Sequence, residues 1–294
     1  MKKPLIVITG PTASGKTDLA IEYAQKNNCE IVNADSMQIY KYMDVGTAKP
    51  SQKEQMGIPH YLISIIEPTQ QYSVAQYSAA AHKYIEYIHS RGKTPLLVGG
   101  TGLYIDSVVK NISYSPAGVD EKYRELLRQT ANEKGNEYLY NLLKQIDPHS
   151  AEKIHLSDVK RIIRALEIFH VTGETATEQK RKSLLDGPLY DATIYAIDTD
   201  RAELYNRINN RVEDMFNRGL VQEVIRLYKM GVNEKMTSMQ GIGYKETMQY
   251  IKGLATLEET KTSIARNTRR YAKRQLTWFR KNDNIIWIRR QTKW

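Results

Sequence analysis

Eight consecutive residues, Gly10-Pro11-Thr12-Ala13-Ser14-Gly15-Lys16-Thr17, follow a short apolar run at 5–9 and fit the pattern G-x-x-x-x-G-K-[ST] between a strand and a helix. Glycines let backbone N–H groups converge on phosphate oxygens, and the helix that follows presents the positive end of its dipole. Lys16 adds a mobile positive charge, and the Thr17 hydroxyl is of the kind that ligates Mg²⁺. The stretch predicts a phosphate site. It does not say what becomes of the phosphates.

The next strand-like run, 30–34, ends in Asp35-Ser36-Met37-Gln38-Ile39-Tyr40. In an open α/β sheet the carboxyl ends of the strands face the ligand crevice, so Asp35 is expected beside the phosphate loop. A carboxylate there serves as an outer-shell metal ligand, as a general base, or only as a turn former. Val98-Gly99-Gly100-Thr101-Gly102 repeats the strand-then-glycine pattern and brings the Thr101 hydroxyl to the same edge. Arg207 and Arg211, four apart on the helix expected after Asp200, could face the phosphates together.

The elements that must position these groups are legible as an alternation. Short buried strands are expected at 5–9, 30–34, 60–63 and 95–98, with helices between them. The clearest helix is 73–91, with Ser73 and Gln76 as a capping box and Gly92 just past its end. This predicts an α/β fold, a parallel sheet with flanking helices on both faces. The alternation stops at a breaker-rich segment, 113–118, and residues 119–180 show only helical periodicity. A second breaker, Asp186-Gly187-Pro188, precedes a strand expected at 192–197, and a last strand at 284–288 closes the sheet. The domains read as a phosphate-loop core in two parts, 1–112 and 191–294, interrupted by an all-helical insertion at 113–190.

The chain has 294 residues and a formal net charge of +10, which favours a polyanionic partner such as nucleic acid. Between 261 and 281 stand eight basic residues and no acidic one, while Ile264, Thr268, Tyr271, Gln275 and Trp278 share the opposite helical face. A second basic cluster, Lys160, Arg161 and Arg164, falls on a helix expected at 157–171. Each cluster is either a solvated face or a surface for phosphate backbone. The single cysteine, Cys29, excludes an intrachain disulfide framework and a cysteine zinc finger, and reads as a small buried hydrophobe in a reducing compartment. No run approaches the roughly 18 apolar residues of a membrane span, so a soluble, cytoplasmic protein without membrane contact is expected.

Taken with Gly-Thr-Ala-Lys-Pro at 46–50 and Lys-Arg-Gln-Leu-Thr-Trp-Phe at 273–279, these motifs resemble, in order and over residues 4 to about 290, the bacterial tRNA dimethylallyltransferases. The resemblance implies transfer of a dimethylallyl group from dimethylallyl diphosphate to N6 of adenosine 37, in tRNAs that read codons starting with U. The phosphate loop would then hold the donor's diphosphate, although such proteins are commonly described as ATP-binding, with Mg²⁺ as cofactor and a monomer as the working form. By position the resemblance makes Asp35 the base, Lys16, Thr17 and Arg211 the diphosphate and metal ligands, and Thr101 a contact of the target nucleotide. It assigns tRNA contact to Asp35, Ser36, Met37, Gln38, Arg124, Lys160, Arg161, Ile162, Ile163, Arg164, Gln240, Gly241, Ile242, Gly243, Tyr244 and Lys245. The helical insertion would clamp the anticodon stem-loop. A small-molecule kinase or NTPase, and a non-catalytic RNA-binding protein with a vestigial loop, are the competing readings of the same residues.

Overall fold

The computed structural model describes residues 2–114 and 118–289; Ser115, Pro116 and Ala117 of the expected breaker lie outside them. Among the described residues six strands form one parallel sheet: β1 (Lys3–Thr9), β2 (Cys29–Asn33), β3 (His60–Tyr61), β4 (Thr94–Gly99), β5 (Tyr190–Asp198) and β6 (Ile285–Arg289), in the order β3-β2-β4-β1-β5-β6. Residues alternate between faces along each strand. Leu5, Val7, Val32 and Leu97 enter one apolar core, while Ile8, Ile31, Leu96 and Val98 enter the other. A sheet with two apolar faces needs helices on both.

Helix α1 (Lys16–Lys26) supplies Leu19, Ala20 and Ala24 to one face. Helices α2 (Val74–Ser90) and α3 (Gly102–Val109) supply Tyr77, Ile85, Tyr104 and Val108 to the other. The capping box of α2 forms as expected, with the Ser73 side chain accepting from Gln76 N and Gln76 reaching back, and Gly92 adopts φ +69° beyond the C-cap. Cys29 is buried, and desolvation pushes its thiol up to about 11.

The chain divides into two compact units, one of Met1–Val109 with Leu189–Trp294, the other of Lys110–Pro188. The expected limit of the insertion at 190 therefore falls inside β5, whose first residue, Tyr190, is buried in the sheet's core. The second unit consists of α4 (Glu121–Lys134), α5 (Asn136–Ile146), α6 (Pro148–Lys153), α7 (Val159–Thr172) and α8 (Ala176–Lys182). Its core holds Leu127, Leu139, Leu143, Ile162, Ile163 and Leu166. Ile162 and Ile163, expected at an RNA surface, are thus core residues, because the apolar stripe of α7 passes through them. Helix α7, capped by Asp158, starts at Val159, two residues later than expected.

The first unit ends with α9 (Arg201–Asn217), capped by Asp200, then α10 (Leu220–Lys229), α11 (Tyr244–Ile251) and α12 (Leu257–Phe279). Their apolar faces meet Ile39, Tyr40 and Met43 in a third core. Helix α12 buries Ile264, Thr268, Ala272, Gln275 and Phe279. Trp278, expected on that face, is 44% exposed because Phe279 takes the core position and the indole lies outside, against Gly102.

Candidate active site

The phosphate loop turns into α1 at Gly15, whose φ of +84° lies in the left-handed region that favours glycine. The loop is held from outside. Gln275 of α12 accepts from Thr12 N at 2.9 Å and donates to Gly100 O at 2.9 Å, tying the two glycine turns together. Arg207 donates to Ser14 O at 3.2 Å and also pairs with Glu203. The Ser14 hydroxyl is buried and has no hydrogen-bond partner among the described residues, an orphan of the sort a bound oxyanion satisfies.

The neighbouring turn is fixed by a close approach of two strands. A Cβ at Gly99 would stand 2.1 Å from Ala34 O, so only glycine lets the ends of β4 and β2 meet there. Ala34 N donates to Val98 O at 2.7 Å, and Thr101 N donates to Ala34 O at 3.1 Å. This sets Asp35 at the carboxyl edge of the sheet, beside the phosphate loop. Its Oδ1 accepts from Met37 N (2.9 Å) and Gln38 N (3.4 Å), so it is a turn former as well as a site carboxylate. Thr101 Oγ1 accepts from Ser36 N at 3.0 Å and locks the turn from the other side.

Two cavities open at this edge, and Asp35 lines both. One also contains Lys16, Thr17, Gln38 and His60. The other is the larger and is walled by Met37, Thr47, Arg211, Gly241, Ile242 and Tyr271. Desolvation draws the Lys16 ammonium down to about 8, with Arg211 adding to the effect and Asp35 opposing it. Desolvation likewise lowers Arg211, against the pull of Asp35. Arg211 donates to Thr47 O at 3.2 Å and has no carboxylate within ion-pair distance among the described residues. It is a part-buried cation whose nearest acidic influence is the Asp35 carboxylate across the cavity, outside ion-pair distance. Burial, then Asp35, pushes the Tyr271 hydroxyl up to about 12, and the Arg274 guanidinium stands 5.6 Å over the ring.

The expected site residues thus separate into groups. The phosphate loop, Asp35, Ser36, Met37, Gln38, Thr101 and Arg211 gather at one edge, with Arg207 bound to the loop's own carbonyl rather than facing the cavity. Of the 240–245 stretch, Gln240, Gly241 and Ile242 line the larger cavity, Gln240 from an exposed position; Lys245 is exposed, and Gly243 is buried at the start of α11. Tyr244, expected to touch RNA, is 1% exposed and presents only a packed wall. In the second unit Lys160 and Arg161 are exposed, while Arg124 and Arg164 pair with the buried Glu167, at 2.8 and 2.5 Å. Glu167 and a second buried glutamate, Glu223, are the residues that sequence reasoning missed. The available signal was an acidic residue in the apolar register of an amphipathic helix.

No three His, Cys, Asp or Glu side chains cluster as a metal site among the described residues. Mg²⁺ characteristically takes one or two protein oxygens and completes its shell from substrate phosphate and water. A lone Thr17 hydroxyl beside a phosphate loop fits that habit.

A family model described as IPP transferase matches residues 38–282. The chain belongs to the IPP transferase family. It is 51% identical over 284 residues to a tRNA dimethylallyltransferase of Acetivibrio thermocellus, covering 97% of this chain and 91% of the relative. A tRNA dimethylallyltransferase of Carboxydothermus hydrogenoformans is 49% identical over 288 residues, covering 98% and 92%. Among solved structures, the full-length tRNA isopentenylpyrophosphate transferase of Bacillus halodurans is similar at 41% identity and TM-score 0.73, over 98% of this chain and 90% of that one. A eukaryotic dimethylallyltransferase acting on tRNA is similar at 32% identity and TM-score 0.81, over 94% and 70%. Membership of this family makes the chain a transferase of the prenyl-transferring kind, with the parallel-sheet architecture of its structural neighbours. No helix among the described residues is long and apolar enough to cross a membrane.

Proposed function

We propose that this protein is a tRNA dimethylallyltransferase: it moves a dimethylallyl group from dimethylallyl diphosphate to N6 of adenosine 37, in tRNAs that read codons starting with U. The observation that supports this most is the placement of Asp35, which lines both the cavity of the phosphate-loop residues Lys16 and Thr17 and the cavity of Arg211 and Tyr271. A base shared by the two cavities suits a reaction between two substrates that enter separately.

An exocyclic adenine amine is a poor nucleophile because its lone pair is delocalised into the ring. Asp35 accepts the amine proton as the new C–N bond forms, and general-base action of this sort contributes about 10² to 10⁴ in rate. Negative charge builds on the departing diphosphate as the allylic C–O bond breaks. Lys16, Arg211 and the loop's N–H groups, aimed at where that charge develops, favour that transition state over the ground state. Mg²⁺, held through Thr17, adds charge neutralisation on the diphosphate when bound. The target base leaves its stack to enter the larger cavity, at a cost of a few kcal/mol that is smaller in a loop than in a duplex. Met37, Gly241 and Ile242 line that cavity, and the exposed Lys160 and Arg161 of the second unit bind phosphate backbone. The working form is a cytoplasmic monomer.

The test is label transfer from dimethylallyl diphosphate, with Mg²⁺, to an unmodified anticodon stem-loop carrying adenosines at 36 and 37. Label is expected on adenosine 37 and none when guanosine stands there. ADP released from ATP, with no label on RNA, would instead support a kinase or NTPase.

A further inference from the structure

The Gly-Thr-Ala-Lys-Pro motif at 46–50 has no place in the chemistry above, yet the backbone entering it is held by buried side chains from both sides. Glu223 of α10, 3% exposed, accepts from three consecutive amides: Asp44 N (3.0 Å), Val45 N (2.8 Å) and Gly46 N (3.1 Å). The Tyr244 hydroxyl donates to the same carboxylate at 2.7 Å. Dehydrating a carboxylate is costly, and four hydrogen bonds to it offset the cost only while the amides converge. From its other side the loop is held by Lys49, buried, which donates to Tyr40 O (2.6 Å), Asp44 Oδ1 (2.7 Å) and Ser64 Oγ (2.8 Å). The Tyr244 ring packs so closely that a Cβ at Gly46 would stand 2.5 Å from it.

What this frame presents is the next carbonyl. Thr47 O accepts from Arg211 at 3.2 Å and from Gln38 Nε2 at 3.2 Å. A carbonyl can aim a guanidinium without neutralising it, whereas a carboxylate in the same place would compete with an anionic ligand. We propose that Glu223, with Tyr244, is a positioning residue for Arg211. It freezes the loop at 44–47 so that the Thr47 carbonyl holds the guanidinium, at full charge, toward the diphosphate of the donor. The inference rests on the role given to Arg211 above.

The test uses the full chain with Mg²⁺ and inorganic diphosphate as the binding probe, followed by steady-state transfer kinetics. Glu223→Gln replaces one acceptor oxygen by a donor and leaves loop amides unpaired. A misplacement of about 1 Å at a reacting centre costs up to about 10²-fold. The expected result is a diphosphate affinity weakened about tenfold and kcat lowered about 10- to 100-fold, with KM for RNA unchanged. Tyr244→Phe, which removes one hydrogen bond and keeps the ring, should move the same quantities less, and it carries the test if Glu223→Gln does not fold. In an Arg211→Gln background Glu223→Gln should add nothing, because both act through one group. Lower thermal stability with unaltered diphosphate affinity, or additive effects in the double variant, would overturn the proposal. Absence of dimethylallyl transfer by the parent protein would sink the function assigned above, while the diphosphate titration would still decide the role of Glu223.

Discussion

Glu223 in the first unit and Glu167 in the second are both carboxylates buried on the apolar face of a helix, and they meet their lost hydration in opposite ways. Glu223 takes backbone amides and a tyrosine hydroxyl, and Arg211 is held by a carbonyl, with no carboxylate at ion-pair distance among the described residues. Glu167 takes the arginines themselves, Arg124 at 2.8 Å and Arg164 at 2.5 Å, with Asp120 N at 2.9 Å. The difference follows from where the cations work. In a part-buried cavity a guanidinium outside any ion pair is a strong anion receptor, and direct pairing would cancel it. On a wet surface each charge is weak, and fixing the geometry of Arg124 and Arg164 matters more than keeping their full potential.

Four measurements would break or sharpen that contrast. The largest effect is expected from Asp35→Asn, which should lower transfer by about 10² to 10⁴ while RNA affinity is retained; an active variant would remove the base from the site. Glu167→Gln comes next. It strips the charge from a buried acceptor of two partly exposed arginines and should destabilise the second unit by about 1 to 3 kcal/mol, read as lost hydrogen-exchange protection in α4 and α7. Arg124 and Arg164 hold the Glu167 carboxyl below its ordinary value, against desolvation. Its contribution is therefore present above the unfolded pKa of about 4.3 and lost as pH falls through the lower folded value, so the variant should flatten the acid limb of the stability curve. An unchanged limb would mean that the pair is held by something other than charge.

A smaller effect is expected at Lys16. With its ammonium at about 8 in the ligand-free protein, charge is lost as pH rises through that value. Affinity for inorganic diphosphate should fall roughly tenfold between about pH 7.5 and about pH 9, with proton uptake on binding. Lys16→Arg should abolish this dependence, since guanidinium stays charged; a dependence that survives belongs to the diphosphate. The smallest effect belongs to Lys160→Ala. It should weaken RNA binding evenly across sequences and lower the salt slope by about 0.7 to 1. A loss confined to one RNA sequence would show that this surface reads bases.

The sheet, the phosphate loop and the helical insertion were legible because each is local: strand, glycine turn and helix leave periodic or fixed-spacing marks. The site was legible to the extent that its residues lie at strand ends, as Asp35 and Thr101 do. Trp278 was misread because a one-residue difference in register decides which side chain a helix buries, and Phe279 fits the core. Ile162 and Ile163 were misread for the opposite reason. They stand between basic residues in the sequence, but on the inner face of α7.

The sequence by itself determined the element order, the anion-binding turn and the excess of basic charge, since these depend on neighbours a few residues apart. Only the tertiary structure decided how the charges are held. Glu223 is 177 residues from Gly46, Gln275 is 263 from Thr12, and Arg211 is 164 from Thr47. A dehydrated cation or carboxylate is defined by what packs around it, and those partners arrive from elements with no sequence relation to one another.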